Sequence, residues 1–195
     1  MRTLNLLRLS ATALALFTLA ACEDFPQQVA QTVGKLPAVL PAPVDRGYWH
    51  GDEATGRAKI VVNVSEQRAF FYKGKKLVGE STVSTGKKGF DTPPGTYTVL
   101  QKDKDHASSE FGDYVNDEGE VVKSNVDARK DKRPAGAEFR GAKMPYFMRF
   151  RGGYGMHAGY VPSFRASHGC IRLPMESAKH FFEGATEGTA VIVKE

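Results

Sequence analysis

Cysteine is almost absent from this chain: two in 195 residues, Cys22 and Cys170. A disulfide framework is thereby excluded. With no Cys-x-x-Cys pair and no His-Glu-x-x-His run, the usual thiol-redox and helix-borne zinc signatures are missing too. Charge of one sign is scarce. The formal net charge is +5, and removal of Arg2 and Arg8 leaves 25 basic against 22 acidic residues, a net of +3. That is too weak for a nucleic-acid footprint, though compatible with an anionic partner. Long apolar runs are missing as well. Residues 9–19 are apolar but fall short of the roughly 20 residues a membrane-spanning helix requires. No second segment could cross a membrane, and no internal repeat organises the chain.

What the N-terminus does carry is a targeting pattern. Arg2 and Arg8 give a positive n-region before the apolar stretch, which ends in Leu19-Ala20-Ala21-Cys22. Small residues before a cleavage point mark a signal peptide. A cysteine directly after them resembles the lipobox of bacterial lipoproteins, in which that cysteine takes a lipid and becomes the mature N-terminus. Residues 1–21 are therefore read as a lipoprotein signal peptide and Cys22 as the lipid site, which puts the mature chain in the periplasm on a membrane. Glu23 in place of aspartate resembles the sorting pattern for the outer membrane, so its inner leaflet is the expected location. Residues 22–57 read as a tether, because Pro26, Pro37, Pro41 and Pro43 favour extended backbone over a packed helix. With Cys22 consumed, Cys170 has no intramolecular partner. A lone thiol in an exported chain is either an intermolecular link or a reactive group.

The folded domain is expected over residues 58–195, a length that fits one core. Ile60-Val61-Val62-Asn63-Val64 is short and β-branched, hence a strand. Residues 67–72, 77–84, 96–101 and 189–193 read likewise, with Gly74 turning the chain between two of them. Turn signals at about 8–12-residue spacing indicate a mainly β fold, a β-sandwich or flattened barrel. Residues 102–143 are charged and low in apolar side chains. They are expected to form an insertion or mobile lid around a hairpin, with Tyr114-Val115 and Val121-Val122 flanking Asn116-Asp117-Glu118-Gly119. Pro174 opens one short helix after the densest motif, with Met175, Ala178, Phe181 and Phe182 as its apolar face and Gly184 as its C-cap.

That motif is Ser167-His168-Gly169-Cys170-Ile171-Arg172-Leu173-Pro174, with Met156-His157-Ala158-Gly159 upstream. A free thiol is mostly protonated at neutral pH. A nucleophilic cysteine therefore needs a base, and small residues that free backbone N–H groups to face an oxyanion. His157 and His168 are the candidate bases. His168 is two residues from Cys170 across Gly169, where a turn is expected. His157 lies on a separate segment that the fold can bring face-on to the sulfur, and it is preferred; His168 is left to orient the loop or line the pocket. If the run from Cys170 is extended, Arg172 shares a face with the thiol, roughly 6–7 Å along the strand, and its fork suits a carboxylate. An internal ion pair is the competing reading for Arg172. His157, His168 and Cys170 as three zinc ligands is the competing reading for the cluster. The preferred reading involves no metal and no cofactor.

Both runs resemble the signature of the L,D-transpeptidase catalytic domain of the YkuD type: a histidine in a short H-x-G turn, then S-H-G-C-x-R. Gln67, Ser84-Thr85-Gly86 and Thr92-Pro93-x-Gly95 resemble that family's first half, so the resemblance runs from about residue 58 to 193. It implies that fold and an enzyme acting on peptidoglycan stem peptides in cell wall biogenesis. Cys170 would attack the diaminopimelate carbonyl of a tetrapeptide stem, expel D-Ala and pass the acyl group to an amine. His157 would move the protons, the Gly169 and Cys170 N–H groups would hold the oxyanion, and the Ala158 carbonyl would serve as the third member. Arg172, His168, Ser167 and Tyr146 are the candidate substrate contacts. Water in place of the amine would give an L,D-carboxypeptidase or endopeptidase, and a wall-binding module with a dead site is the non-catalytic alternative.

Overall fold

The computed structural model describes residues 47–162 and 164–195. Residues 1–21, read as a signal peptide, Cys22 and most of the stretch read as a tether lie outside the described residues. β1 (Gly47–Trp49) is followed by a meander of β2 (Ala58–Asn63), β3 (Arg68–Lys73) and β4 (Lys76–Thr82). Burial alternates along the meander: Ile60 and Val62 on β2, and Ala69 and Phe71 on β3, are fully buried. This is the period-two pattern of a half-buried sheet. Gly74, at φ +60°, makes the tight turn between β3 and β4. β5 (Gly95–Thr98) and β13 (Ala190–Lys194) complete a six-stranded sheet in the order β1-β4-β3-β2-β13-β5. The closing strand β13 is parallel to β2 and antiparallel to β5.

β1 lies in the stretch read as tether. Its register against β4 sets Trp49 opposite Gly79, and the indole packs edge-on to Phe71 and flat on His180, each at 5.1 Å. The folded body therefore starts before residue 58. The strand is too short, and too isolated among polar residues, to announce itself by pattern. The expected strand over 96–101 is two strands. Val99 is buried between them, and its N–H bonds Thr189 O while Leu100 N–H bonds Arg149 O. The chain thus passes from one sheet to the next at this point. That second sheet has the order β12-β11-β10-β6, from β6 (Gln101–Asp103), β10 (Phe147–Arg151), β11 (Tyr154–Ala158) and β12 (Ile171–Leu173).

Both sheets feed one core that includes Ile60, Val62, Phe71, Val78, Met148, Met156, Ile171, Leu173 and Val191. Each such side chain contributes about 1.5–3 kcal/mol by leaving water. α1 (Met175–Gly184) begins right after Pro174 and buries Ala178 and Phe181, the latter 5.2 Å from the Phe71 ring. Gly184 is its last residue, and the cap is Ala185 in extended backbone. Gly184 is there for space: a Cβ would stand 2.9 Å from Trp49 and 3.0 Å from Phe71.

The 102–143 insertion is largely sheet. β7 (Ala107–Val115) is flanked by β8 (Val121–Asp127) and β9 (Glu138–Lys143). The expected hairpin turn falls between β7 and β8. This layer has its own small core of Tyr114, Val126 and Ala137, with Phe139 against it.

Candidate active site

β11 and β12 run parallel, pairing Met156 with Ile171, His157 with Arg172 and Ala158 with Leu173. Met156, Ala158, Ile171 and Leu173 enter the core. By alternation His157 and Arg172 project the other way, into a cleft of about 890 Å³ that Cys170 also lines. Cys170 immediately precedes β12, so thiol, imidazole and guanidinium share one wall. His157 is 6% exposed. Its Nδ1–H donates to the Ala158 carbonyl at 2.9 Å, which leaves Nε2 as an acceptor. Burial, with help from the Arg172 charge, takes His157 down from 6.5 to about 4 against the pull of that carbonyl. Burial also pushes the Cys170 thiol up, while the Gly155 N–H, Arg172 and Arg149 pull it down. Its S–H donates to Gly153 O at 3.6 Å. The resting pair is therefore neutral thiol and neutral imidazole.

The loop is pinned around the sulfur by short polar side chains. Gly169 sits at φ +111°, and a Cβ there would stand 2.7 Å from the Tyr154 ring; only glycine meets both demands. Thr92 Oγ1 donates to Gly169 O at 2.7 Å and accepts the Gly86 N–H at 2.9 Å. Ser167 is buried. Its hydroxyl donates to Cys170 O and accepts the Gly169 N–H at 3.1 Å. This corrects two expectations. Ser167 shapes the loop with its hydroxyl, which is used up inside it. The Gly169 N–H is already committed, whereas no acceptor among the described residues takes the Cys170 N–H.

Arg172 lines the cleft and pairs with no carboxylate among the described residues. Burial lowers its pKa and Cys170 raises it. The competing internal ion pair is not formed with any described residue. His168 also lines the cleft, its ring stacked on Phe111 at 4.5 Å and edge-on to Phe90 at 4.8 Å. Among the described residues, no group of histidine, cysteine and carboxylate side chains converges as a metal site. Tyr146 is not in the cleft. Its backbone is left-handed at φ +57°, its N–H bonds Lys104 O, and its ring packs edge-on to Phe182 at 5.6 Å.

The family described as YkuD, the L,D-transpeptidase catalytic domain, matches residues 57–193. This chain belongs to the YkuD family of L,D-transpeptidase catalytic domains. It is 29% identical over 143 residues to the probable L,D-transpeptidase ErfK/SrfK of Salmonella typhimurium, covering 70% of this chain and 44% of that protein. It is 30% identical over 137 residues to the probable L,D-transpeptidase YbiS of Escherichia coli, covering 68% and 43%. The chain thus matches less than half the length of these relatives. The fold is also that of the L,D-transpeptidase from Mycobacterium smegmatis, at TM-score 0.54 and 19% identity over 71% of this chain and 59% of that one. An L,D-transpeptidase from Stackebrandtia nassauensis gives TM-score 0.52 and 21% identity over 86% and 64%.

Within the YkuD domain, several residues in or around the cleft escaped the sequence reading. Thr92 was visible only as part of a turn-like Thr92-Pro93-x-Gly95 run, with nothing to show that its hydroxyl reaches Gly169. Tyr154, Arg149, Phe90 and Phe111 line the cleft. Tyr154 stands between two glycines, a signal of close approach that could have flagged it. Phe111 is one of three aromatics in a charged segment, and nothing in its spacing from Tyr114 and Phe139 set it apart.

Proposed function

We propose that this chain is a peptidoglycan L,D-transpeptidase that works through a Cys170 acyl-enzyme. One observation carries this: the unpaired thiol shares its cleft with a histidine whose Nδ1–H is fixed on the Ala158 carbonyl, so that Nε2 is free to accept a proton. Family membership supplies the substrate class. Nε2 of His157 takes the S–H proton as sulfur attacks the diaminopimelate carbonyl of a tetrapeptide stem. The Cys170 N–H faces the resulting oxyanion. Collapse breaks the amide bond, and His157 returns the proton to the departing D-Ala nitrogen. An acceptor amine then attacks the thioester and gives its proton to His157. The thiolate leaves and is reprotonated from His157. Arg172, in the cleft wall with no carboxylate partner among the described residues, holds a carboxylate of the donor stem through two parallel hydrogen bonds. Leu19-Ala20-Ala21-Cys22 supports a periplasmic lipoprotein anchored through Cys22, and Glu23 supports the inner leaflet of the outer membrane.

The test is incubation of the purified chain with tetrapeptide muropeptides and mass spectrometry of the products. The proposal expects cross-linked dimers with release of D-Ala. Tripeptide monomers alone would identify water as the acceptor and the chain as a carboxypeptidase, and unchanged muropeptides would overturn the reading.

A further inference from the structure

The lid sheet is built unusually at one place. β7 and β9 pair Ala107 with Lys143 and then Gly112 with Gly141. Four residues of β7, 108–111, therefore lie opposite one residue of β9. Such a bulge bends its strand and re-aims a side chain. Three features support it. Ser108 Oγ accepts the N–H groups of Glu110 and Phe111, at 3.2 and 2.9 Å. A Cβ at Gly141 would stand 2.0 Å from Ser108 O, and one at Gly112 would stand 2.2 Å from Arg140 O. Glycine at both positions lets the two strands approach closely around the bulge. What the bulge delivers is Phe111.

Phe111 lands on the nucleophile loop. Its ring stacks on His168 at 4.5 Å with an interplanar angle of 11°, and Phe90 closes the group edge-on to both. Arg129 lies over the outer face of this cluster, 5.2 Å from the Phe111 ring, and Lys87 lies 5.2 Å from Phe90. Lid, loop and the 87–90 turn meet at an imidazole two residues before Cys170. The Cys170 N–H shares its planar peptide group with the Gly169 carbonyl that Thr92 holds; the preceding residue, His168, is held from the other side by Phe111 and Phe90, so the loop is gripped at both ends of Gly169.

We propose that Phe111 is a positioning residue: seated by the bulge, it fixes His168 and thereby the Cys170 loop in the geometry that acyl transfer needs. This rests on the Cys170 acyl-enzyme reading. Phe111 acts through His168, and its loss misplaces the loop while leaving the donor's own contacts in the cleft wall intact. Aromatic pairs of this kind carry direction as well as burial, so an aliphatic side chain of similar volume does not substitute.

The experiment uses the full chain with Phe111→Leu, Phe111→Tyr and Gly141→Ala. Single-turnover acylation by a tetrapeptide donor is followed by mass, alongside the His168 Hε1 resonance through a pH titration. In the wild type, burial with Lys87 and Arg172 holds His168 below the ordinary histidine pKa against Asp127. Phe111→Leu is expected to lower the maximal acylation rate about 10- to 100-fold, with the half-saturating donor concentration little changed. It should also remove the ring-current shift on His168 and let its pKa rise. Phe111→Tyr should restore both, and Gly141→Ala should reproduce the leucine defect with the phenylalanine still present. An unchanged maximal rate in Phe111→Leu would overturn the proposal. So would a defect confined to the half-saturating concentration, which makes Phe111 a donor contact. A wild type that is not acylated at all would instead bring down the acyl-enzyme reading on which the proposal stands.

Discussion

At the scale of single residues, the site is a neutral pair waiting for a substrate. His157 titrates near 4 because it is buried beside a cation, so it stays uncharged well below neutral pH, as the base role proposed for it requires. The acid limb of kcat/KM for donor consumption should therefore lie near pH 4; a limb near 6.5 would show that His157 is solvated or is not the base. The same depression affects stability. The unfolded chain binds the His157 proton near 6.5 and the folded chain near 4. The contribution is thus fully present above about pH 6.5 and is lost as pH falls toward 4, at up to about 1.4 kcal/mol per pH unit. His157→Gln should flatten that slope in urea titrations. Arg172→Lys should cut acylation by tetrapeptide donors more than about tenfold while moving the melting temperature by only a degree or two, since the loss is a bidentate grip. Much of this was legible in the sequence, because Ser167 to Arg172 is contiguous and His157 lies in a short His-x-Gly run on the segment before it. The exceptions are instructive. The Gly169 N–H is taken by a hydroxyl two residues away, and Tyr146 is turned from the cleft by a left-handed backbone. Neither the hydrogen bond nor the dihedral leaves a trace in residue type.

At the scale of elements, alternating burial made β2, β3 and β13 readable, and Pro174 made the helix start readable. What escaped depends on partners far along the chain. β1 is three residues whose only credential is Trp49 meeting Phe71 and His180. The 102–143 segment looked like a loop because its sheet is half solvent-facing and is held by a small core of its own. Thr92 links two such distant elements, the turn at Gly86 and the Cys170 loop at Gly169. Thr92→Val keeps the shape but removes both bonds inside the protein. It should cost about 1–3 kcal/mol by leaving a buried N–H and carbonyl unpaired, read as a lower midpoint in denaturant. Acylation should fall with it because Gly169 is released. An unchanged midpoint would mean that water replaces the hydroxyl.

At the scale of the whole molecule, two sheets share one core, and the parallel β11–β12 pair, with Cys170 just before β12, sets thiol, imidazole and guanidinium on a single wall. A third sheet lies across the cleft. A chain beginning at residue 58 loses β1 and should melt well below one that retains Gly47–Trp49. Trp49→Ala should account for about 3 kcal/mol of the difference. The tether reading makes a separate demand: Cys22→Ser should release the protein from membranes, and equal retention would place the anchor elsewhere. The central claim is that Cys170 is the acylated nucleophile. It is tested most directly by intact-mass measurement and peptide mapping after mixing the chain with a tetrapeptide donor. The account predicts one acyl adduct, on the peptide containing Cys170, and none in Cys170→Ala, which keeps its fold and loses all turnover. An adduct on any other residue, or D-Ala release by Cys170→Ala at the wild-type rate, would contradict it.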